Sequence, residues 1–228
     1  MLENLSIAAP RVPAHDLWLF DEEIEHRIAN EFAMALASIS LAAAGSTSAE
    51  VKTVLAGTAR RLRDFANVHR SLQPPTGDGL VDLSDYLQRL CVSMARARLN
   101  ERGIDLDFVG HCADIAADRC WRVGLIVSEL ITNAIRHAFA DRGGAITVEI
   151  GSAADIVHCR VSDNGKSCGS AAPGRGSRIV EALAGELGGC VERQFTATGT
   201  TVLLAFPEHD LFRAPSRLPL PESAHQLP

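Results

Sequence analysis

The chain has no excess of positive charge: 22 Lys and Arg stand against 28 Asp and Glu, a net charge of −6. With a pI near 5.7, there is no electrostatic case for nucleic acid or an anionic membrane surface as partner. No C-x-x-C pair occurs either. The six cysteines (Cys91, Cys112, Cys120, Cys159, Cys168 and Cys190) lie scattered, which excludes a cysteine zinc site or a disulfide framework and reads as reduced thiols. Long apolar runs are missing. The stretch from Phe32 to Ala44 is interrupted by Ser38 and Ser40 and falls short of the roughly 20 residues a spanning helix needs. The first residues lack the positive charge and apolar core of a signal peptide, and Glu3 stands where that charge belongs. No internal repeat is found. These absences lead to the expectation of a cytoplasmic protein that engages neither membrane nor nucleic acid.

What is present suits a globular protein. Of 228 residues, 46% are apolar and 22% charged, enough for one large domain or two small ones. Turn-rich stretches divide the chain. Residues 1–15, with Pro10 and Pro13, are expected to be irregular. Residues 74–80, opening Pro74-Pro75-Thr76-Gly77-Asp78-Gly79, read as a linker, because the prolines stop a helix and the glycines loosen the chain beyond them. Residues 208–228 carry Pro215, Pro219, Pro221 and Pro228 with few large apolar residues and read as a disordered tail.

Between the first two breaks, over 16–73, the apolar period is helical. Ile24, Ile28, Phe32, Leu36 and Ile39 share one face of a long helix that Gly45 ends. Thr47 with Glu50 predicts a capping box for a second helix, whose seam is Val51, Leu55, Leu62, Phe65 and Leu72. Such an antiparallel hairpin leaves an apolar stripe uncovered, and pairing with a second copy into a four-helix bundle covers it. Over 81–207 the pattern changes to mixed α and β. Helices are predicted over 84–102, 118–139 (capped by Asp118) and 177–187. Strands are predicted over 104–109, 145–150, 156–162, 190–195 and 200–206. The fold class expected is α+β: a helical hairpin followed by a two-layer α/β sandwich.

Several residues could carry chemistry. His26 projects about 140° away from the apolar face of its helix, with Glu22 and Asn30 one turn to either side. For a lone histidine, a solvated helix face is the better explanation. A neutral imidazole held at one nitrogen is nonetheless a good nucleophile at the other. On the helix over 118–139, Glu129, Asn133 and His137 form a stripe bordered by Leu125 and Ile126, unlike an ordinary solvated face. A carboxylate and an amide so placed suit a hydrated Mg²⁺ with its phosphates. Asp163-Asn164-Gly165 sits where a strand meets a turn, and Gly174-Arg175-Gly176 opens a helix whose first N–H groups can receive phosphate.

In their order along the chain, these blocks resemble the bacterial two-component sensor histidine kinases of the H-R-x-x-N phosphoacceptor subgroup (HWE-like), with a GHKL (Bergerat-type) ATPase domain. His26-Arg27-Ile28-Ala29-Asn30 resembles the phosphoacceptor box. The run from Arg61 to Leu72 resembles the second bundle helix, and that from Leu125 to Phe139 the N box. Asp163-x-Gly165, Gly174-x-Gly176 and Gly199-Thr200 resemble the G1, G2 and closing elements.

The resemblance spans about 20–207. It implies a GHKL fold for the second domain, ATP and Mg²⁺ as cofactors, and His26 as phosphoacceptor. It further implies that Asn133 ligates Mg²⁺ while Glu129 positions a metal-bound water. Asp163, supported by Thr200, would receive the adenine amino group, Gly174 and Gly176 would admit the lid to the phosphates, and Arg136 and His137 would lie close by. Implied partners are a second copy, the receiver domain of a response regulator, and an upstream sensor protein, since residues 1–15 are too few to fold alone.

The sequence departs from the family pattern at Ser167, where the G1 box has a second glycine, and at Arg27, where commoner kinases carry an acid. Glu22 or Asn30 is the expected partner that orients the imidazole. Two other readings stand beside the kinase: a non-catalytic histidine phosphotransferase with a degenerate ATPase domain, and an anti-sigma-type serine kinase.

Overall fold

A computed structural model describes the backbone of residues 14–75, 79–112, 114–139, 143–166 and 174–209, and the side chains of the same residues from Arg27 onward. The expected irregular start and the Pro-rich tail lie almost wholly outside the described residues, as does Ser167. The described chain divides into two compact units between Asn67 and Val68.

The first unit is helical. Helix α1 spans Ala14–Gly45 and α2 spans Ala49–Ser71. On α1, Phe32, Leu36, Ile39 and Ala43 are half-buried, following the helical period of the predicted face, while Met34 and Leu41 are exposed. The cap of α2 differs from expectation by one residue. Ser48, not Thr47, accepts the Val51 N–H on its hydroxyl at 3.3 Å, and its carbonyl accepts the first helical bond from Lys52.

The apolar run is also longer than read from sequence. Arg27–Gly45, 19 residues of mean hydropathy 1.4, is long and apolar enough by length and composition to cross a membrane. Ser38 and Ser40 do not interrupt it. Their hydroxyls bond the carbonyls of Met34 and Leu36 one turn back, so the helix consumes its own polar groups.

The second unit is a sheet with helices on one face. Strand β1 (Leu80–Asp82) leads into α3 (Leu83–Met94), which Asp82 caps by accepting the Asp85 N–H at 3.0 Å. The helix loosens into a π turn over Ala95–Leu99 and tightens into a 3₁₀ turn over Asn100–Arg102. Gly103, at φ 64, then reverses the chain in a conformation that disfavours any residue with a Cβ. The remaining elements are β2 (Ile104–Gly110), β3 (Asp114–Ala116), α4 (Ala117–His137), β4 (Gly144–Ala153), β5 (Ile156–Asp163), α5 (Arg175–Glu186), β6 (Cys190–Thr196) and β7 (Gly199–Pro207).

The main sheet runs β2-β4-β5-β7-β6, with β2 and β4 parallel and the other neighbours antiparallel. Alternate residues Ile146 and Val148, Val157, Cys159 and Val161, and Val202, Leu204 and Phe206 point inward, as a half-buried strand requires. They meet Leu87, Leu90 and Met94 of α3, Val123, Ile126, Val127 and Ile131 of α4, and Val180 and Ala184 of α5 in one core.

A second sheet, β1 with β3, was absent from the sequence reading. It explains another departure. Leu80 pairs with Ala116, and the Ala117 N–H donates to the Gly79 carbonyl, so α4 is started by strand pairing. Its N-cap is Ala116, without a side-chain bond, and Asp118 pairs with Arg122 at 2.7 Å instead of capping.

Candidate active site in the ATPase-like unit

Helix α4 buries Val127, Leu130, Ile131 and Ala134 against the sheet. The next stripe of the same 3.6-residue period is therefore turned toward the sheet's rim. That stripe holds Glu129 and Asn133, both half-buried, and ends in exposed Arg136 and His137. The Arg136 guanidinium in this last turn also suits the negative end of the helix.

Against the stripe lies the start of α5. A Cβ added to Gly176 would sit 1.9 Å from Glu129 Oε1, so only a glycine lets the α5 backbone approach this carboxylate so closely. Gly174, the N-cap of α5, is extended and brings no side-chain bond to the first turn, so a side chain does not fill the anion-receptive end of the helix.

A second cluster forms where the strands end. Asp163 closes β5 and folds back, its Oδ1 accepting the Gly165 N–H at 2.9 Å. Gly165 is buried, and a Cβ there would lie 2.3 Å from that of Ala138, while Lys166 N–H donates to the Ala138 carbonyl at 3.1 Å. The turn is thereby pressed onto the end of α4. From the other side, Gly199 at φ 150 lies so near the Asp163 carbonyl that a Cβ would overlap it. The ladder pairs Ser162 with Thr201, which sets Thr200 one step on, beside Asp163.

The structure thus gathers Asp163, Gly165 and Thr200 at one point and Glu129 and Gly176 at another, joined by α4. His26 falls within α1, but its side chain lies outside the described residues, as do 167–173 between the two glycine motifs.

Three supporting residues escaped the sequence reading. Asn164 Oδ1 accepts the Ala145 N–H at 2.8 Å and ties the Asp163 turn to β4. Arg102 donates to the Phe139 carbonyl at 3.0 Å just beyond α4, and Arg98 donates to Thr132 Oγ1 at 3.1 Å, beside Asn133. Only Asn164 left a signal, its place between Asp163 and Gly165 in a turn.

Among the described residues no group of three or more His, Cys, Asp or Glu is arranged to hold a metal ion. Glu129 and Asn133 offer oxygen donors one turn apart. That set fits a hydrated Mg²⁺ which takes its remaining ligands from water and phosphate, and does not fit a closed protein site. Because Gly176 carries no side chain, the start of α5 lies directly against Glu129, which brings the helix end and the carboxylate to one place.

Two family models match the chain: one described as histidine kinase over residues 23–98, and one described as histidine kinase-like ATPase domain over residues 102–206. The chain belongs to the histidine kinase family. The matched segments take in His26 in the first and Glu129, Asn133, Asp163, Gly174, Gly176 and Thr200 in the second.

This family member is 28% identical to blue-light-activated histidine kinase 2 of Erythrobacter litoralis over 198 residues, 81% of this chain and 56% of that protein. It is 30% identical to the sensor histidine kinase PdtaS of Mycobacterium tuberculosis over 145 residues, 63% of this chain and 29% of that protein. The chain therefore matches about half or less of the length of these relatives. Its fold is shared with the histidine kinase domain of the Erythrobacter litoralis EL346 blue-light-activated kinase, at a TM-score of 0.54 and 22% identity, covering 78% of this chain and 96% of that one.

Proposed function

We propose that the chain is an ATP-dependent protein-histidine kinase that phosphorylates its own His26 and passes the phosphoryl group to an aspartate of a response-regulator receiver domain. The observation that carries this reading is the close approach of Gly176 to Glu129 on a histidine kinase-like ATPase domain. It leaves a carboxylate and the Asn133 amide beside a helix start without a side-chain cap, the donor set a triphosphate with Mg²⁺ requires.

In this reading Asp163, with Thr200, receives the adenine amino group. Asn133 would ligate Mg²⁺, Glu129 would hold a water beside it, and Arg136 and His137 would lie near the phosphates. When bound, Mg²⁺ would supply charge neutralisation on the phosphate oxygens. An imidazole nitrogen of His26 forms a P–N bond as the bond from the γ-phosphorus to the β–γ bridging oxygen breaks and ADP leaves. The N–H at the other ring nitrogen donates a hydrogen bond to Glu22 or Asn30, which holds the ring in place, and its proton passes to Glu22 or to solvent as the P–N bond forms.

A second copy covers the exposed apolar positions Met34, Leu41, Val51, Val54 and Phe65 of the two long helices. The reaction takes place in the cytoplasm, where ATP is found.

The test is incubation of the full chain with γ-labelled ATP and Mg²⁺. Acid-labile, base-stable label is expected on wild type and is absent from His26→Ala and Asn133→Ala. Equal labelling of His26→Ala refutes the acceptor, and acid-stable label refutes histidine phosphorylation altogether.

A further inference from the structure

Helix α2 is continuous from Ala49 to Ser71, yet the division between the two compact units falls inside it, after Asn67. The residues beyond that point are built into the ATPase-like unit. Val68 is 5% exposed and part of its core, and Leu72 packs against the same core. Two side-chain hydrogen bonds fasten this last turn. The indole N–H of Trp121, on α4, donates to the Leu72 carbonyl at 2.8 Å. The hydroxyls of Ser71 and of Ser93, on α3, lie 2.9 Å apart.

A carbonyl just past a helix end lacks an intrahelical donor, and the indole has a single polar atom to offer, so the first pair satisfies two groups at once. Trp121 stands on the same helix as Glu129 and Asn133. The last turn of α2, within the second unit, is thereby tied to the element that carries the candidate catalytic groups.

We propose that Trp121 and Ser93 are positioning residues for phosphoryl transfer. They hold the exit of α2 on α3 and α4, so that the chain is fixed to the second unit from Val68 onward. The proposal rests on the kinase reading above. A tethered reaction runs at a rate set by the length and stiffness of its tether. Releasing the last turn moves the fixed point from Val68 toward β1 and loosens the direction in which α2 leaves. Loss of one hydrogen bond of ordinary strength corresponds to about a fivefold change in the ratio of held to released chains.

The experiment compares the full-length wild type with Trp121→Phe, which keeps a ring and removes the N–H, and with Ser93→Ala, which removes a hydroxyl and no bulk. Five quantities are read: kcat and KM for ATP in autophosphorylation, affinity for Mg·ADP, the thermal midpoint, and amide hydrogen exchange over residues 69–73. The expected result for Trp121→Phe is a fall in kcat of more than twofold and up to about fivefold, with KM and Mg·ADP affinity within about twofold of wild type. Exchange over 69–73 is faster, and Ser93→Ala moves the same way by less.

A kcat within about twofold of wild type in both variants overturns the proposal, whatever exchange does. So does a parallel loss of nucleotide affinity and thermal stability, which marks the ring as core packing. Should Trp121→Phe fail to fold, Ser93→Ala alone decides: an unaltered kcat overturns the proposal and a lowered kcat at constant KM supports it. A wild type that fails to label His26 overturns the kinase reading and this proposal with it, whereas a labelled wild type matched by both variants overturns this proposal alone.

Discussion

Replacing Gly176 with alanine tests the site through one atom. The new Cβ would stand 1.9 Å from Glu129 Oε1, 2.9 Å from its Cδ and 3.4 Å from its Cγ. Non-bonded heavy atoms settle at about 3.5 Å or more, so the carboxylate must withdraw by roughly 1.5 Å. It can do so, because it is the far end of a flexible side chain. Gly176 does not need a left-handed backbone, and alanine is favoured over glycine inside a helix by up to about 1 kcal/mol. Thermal stability should therefore hold or rise.

Activity should not hold. Misplacing a catalytic group by about 1 Å can cost about 100-fold in rate, or about 2.7 kcal/mol of activation free energy. The assay is autophosphorylation from labelled ATP across a double-mutant cycle with Glu129→Ala. With the carboxylate already removed, the extra methyl has nothing to displace, so Gly176→Ala should cost little further in that background. Wild-type activity in the single variant, or losses that simply multiply in the double, would refute the assignment of Glu129 and Gly176 to one site.

Two further predictions concern stability. Ser48→Ala should lower the urea midpoint by an amount worth about 1 kcal/mol, while Thr47→Ala leaves it near wild type, because only Ser48 takes the Val51 N–H; equal effects would show that the helix starts elsewhere. Burial pushes the thiols of Cys91, Cys120 and Cys159 from the usual 9.0 up to about 12. Above pH 9 the unfolded chain then releases protons that the folded chain keeps, so stability is full below pH 9 and falls as pH rises toward 12, by up to about 1.4 kcal/mol per pH unit for each thiol. Chemical denaturation at pH 8, 9 and 10 should show this fall, with a shallower slope for Cys159→Ala; identical slopes refute it.

Much of the second domain was legible because its signals are local. Alternation in β4, β5 and β7 and the 3.6-residue period of α4 are properties of short windows, and a helix of known core face fixes where Glu129 and Asn133 point. Errors arose where neighbouring residues offered equivalent chemistry. Ser46, Thr47 and Ser48 can each cap a helix, and the sequence holds no local reason to prefer the last. Asp118 is a good N-cap by type, but the β1–β3 pairing had already set the helix start one residue earlier. Ser38 and Ser40 read as interruptions because composition does not reveal that the helix absorbs their hydroxyls.

By itself, the sequence determined the five helices, the five strands of the main sheet, their order and the chemical character of the stripe on α4, since each follows from spacing within a few turns or strand steps. Only the tertiary structure decided which distant residues meet. Gly176 faces Glu129, Gly165 lies against Ala138, Gly199 lies over Asp163, and Trp121 takes the Leu72 carbonyl. Glycine carries no side chain to advertise its neighbour, and a backbone carbonyl is the same at every residue. Such contacts are fixed by how α4 and α5 settle on a twisted sheet, which no window of sequence contains.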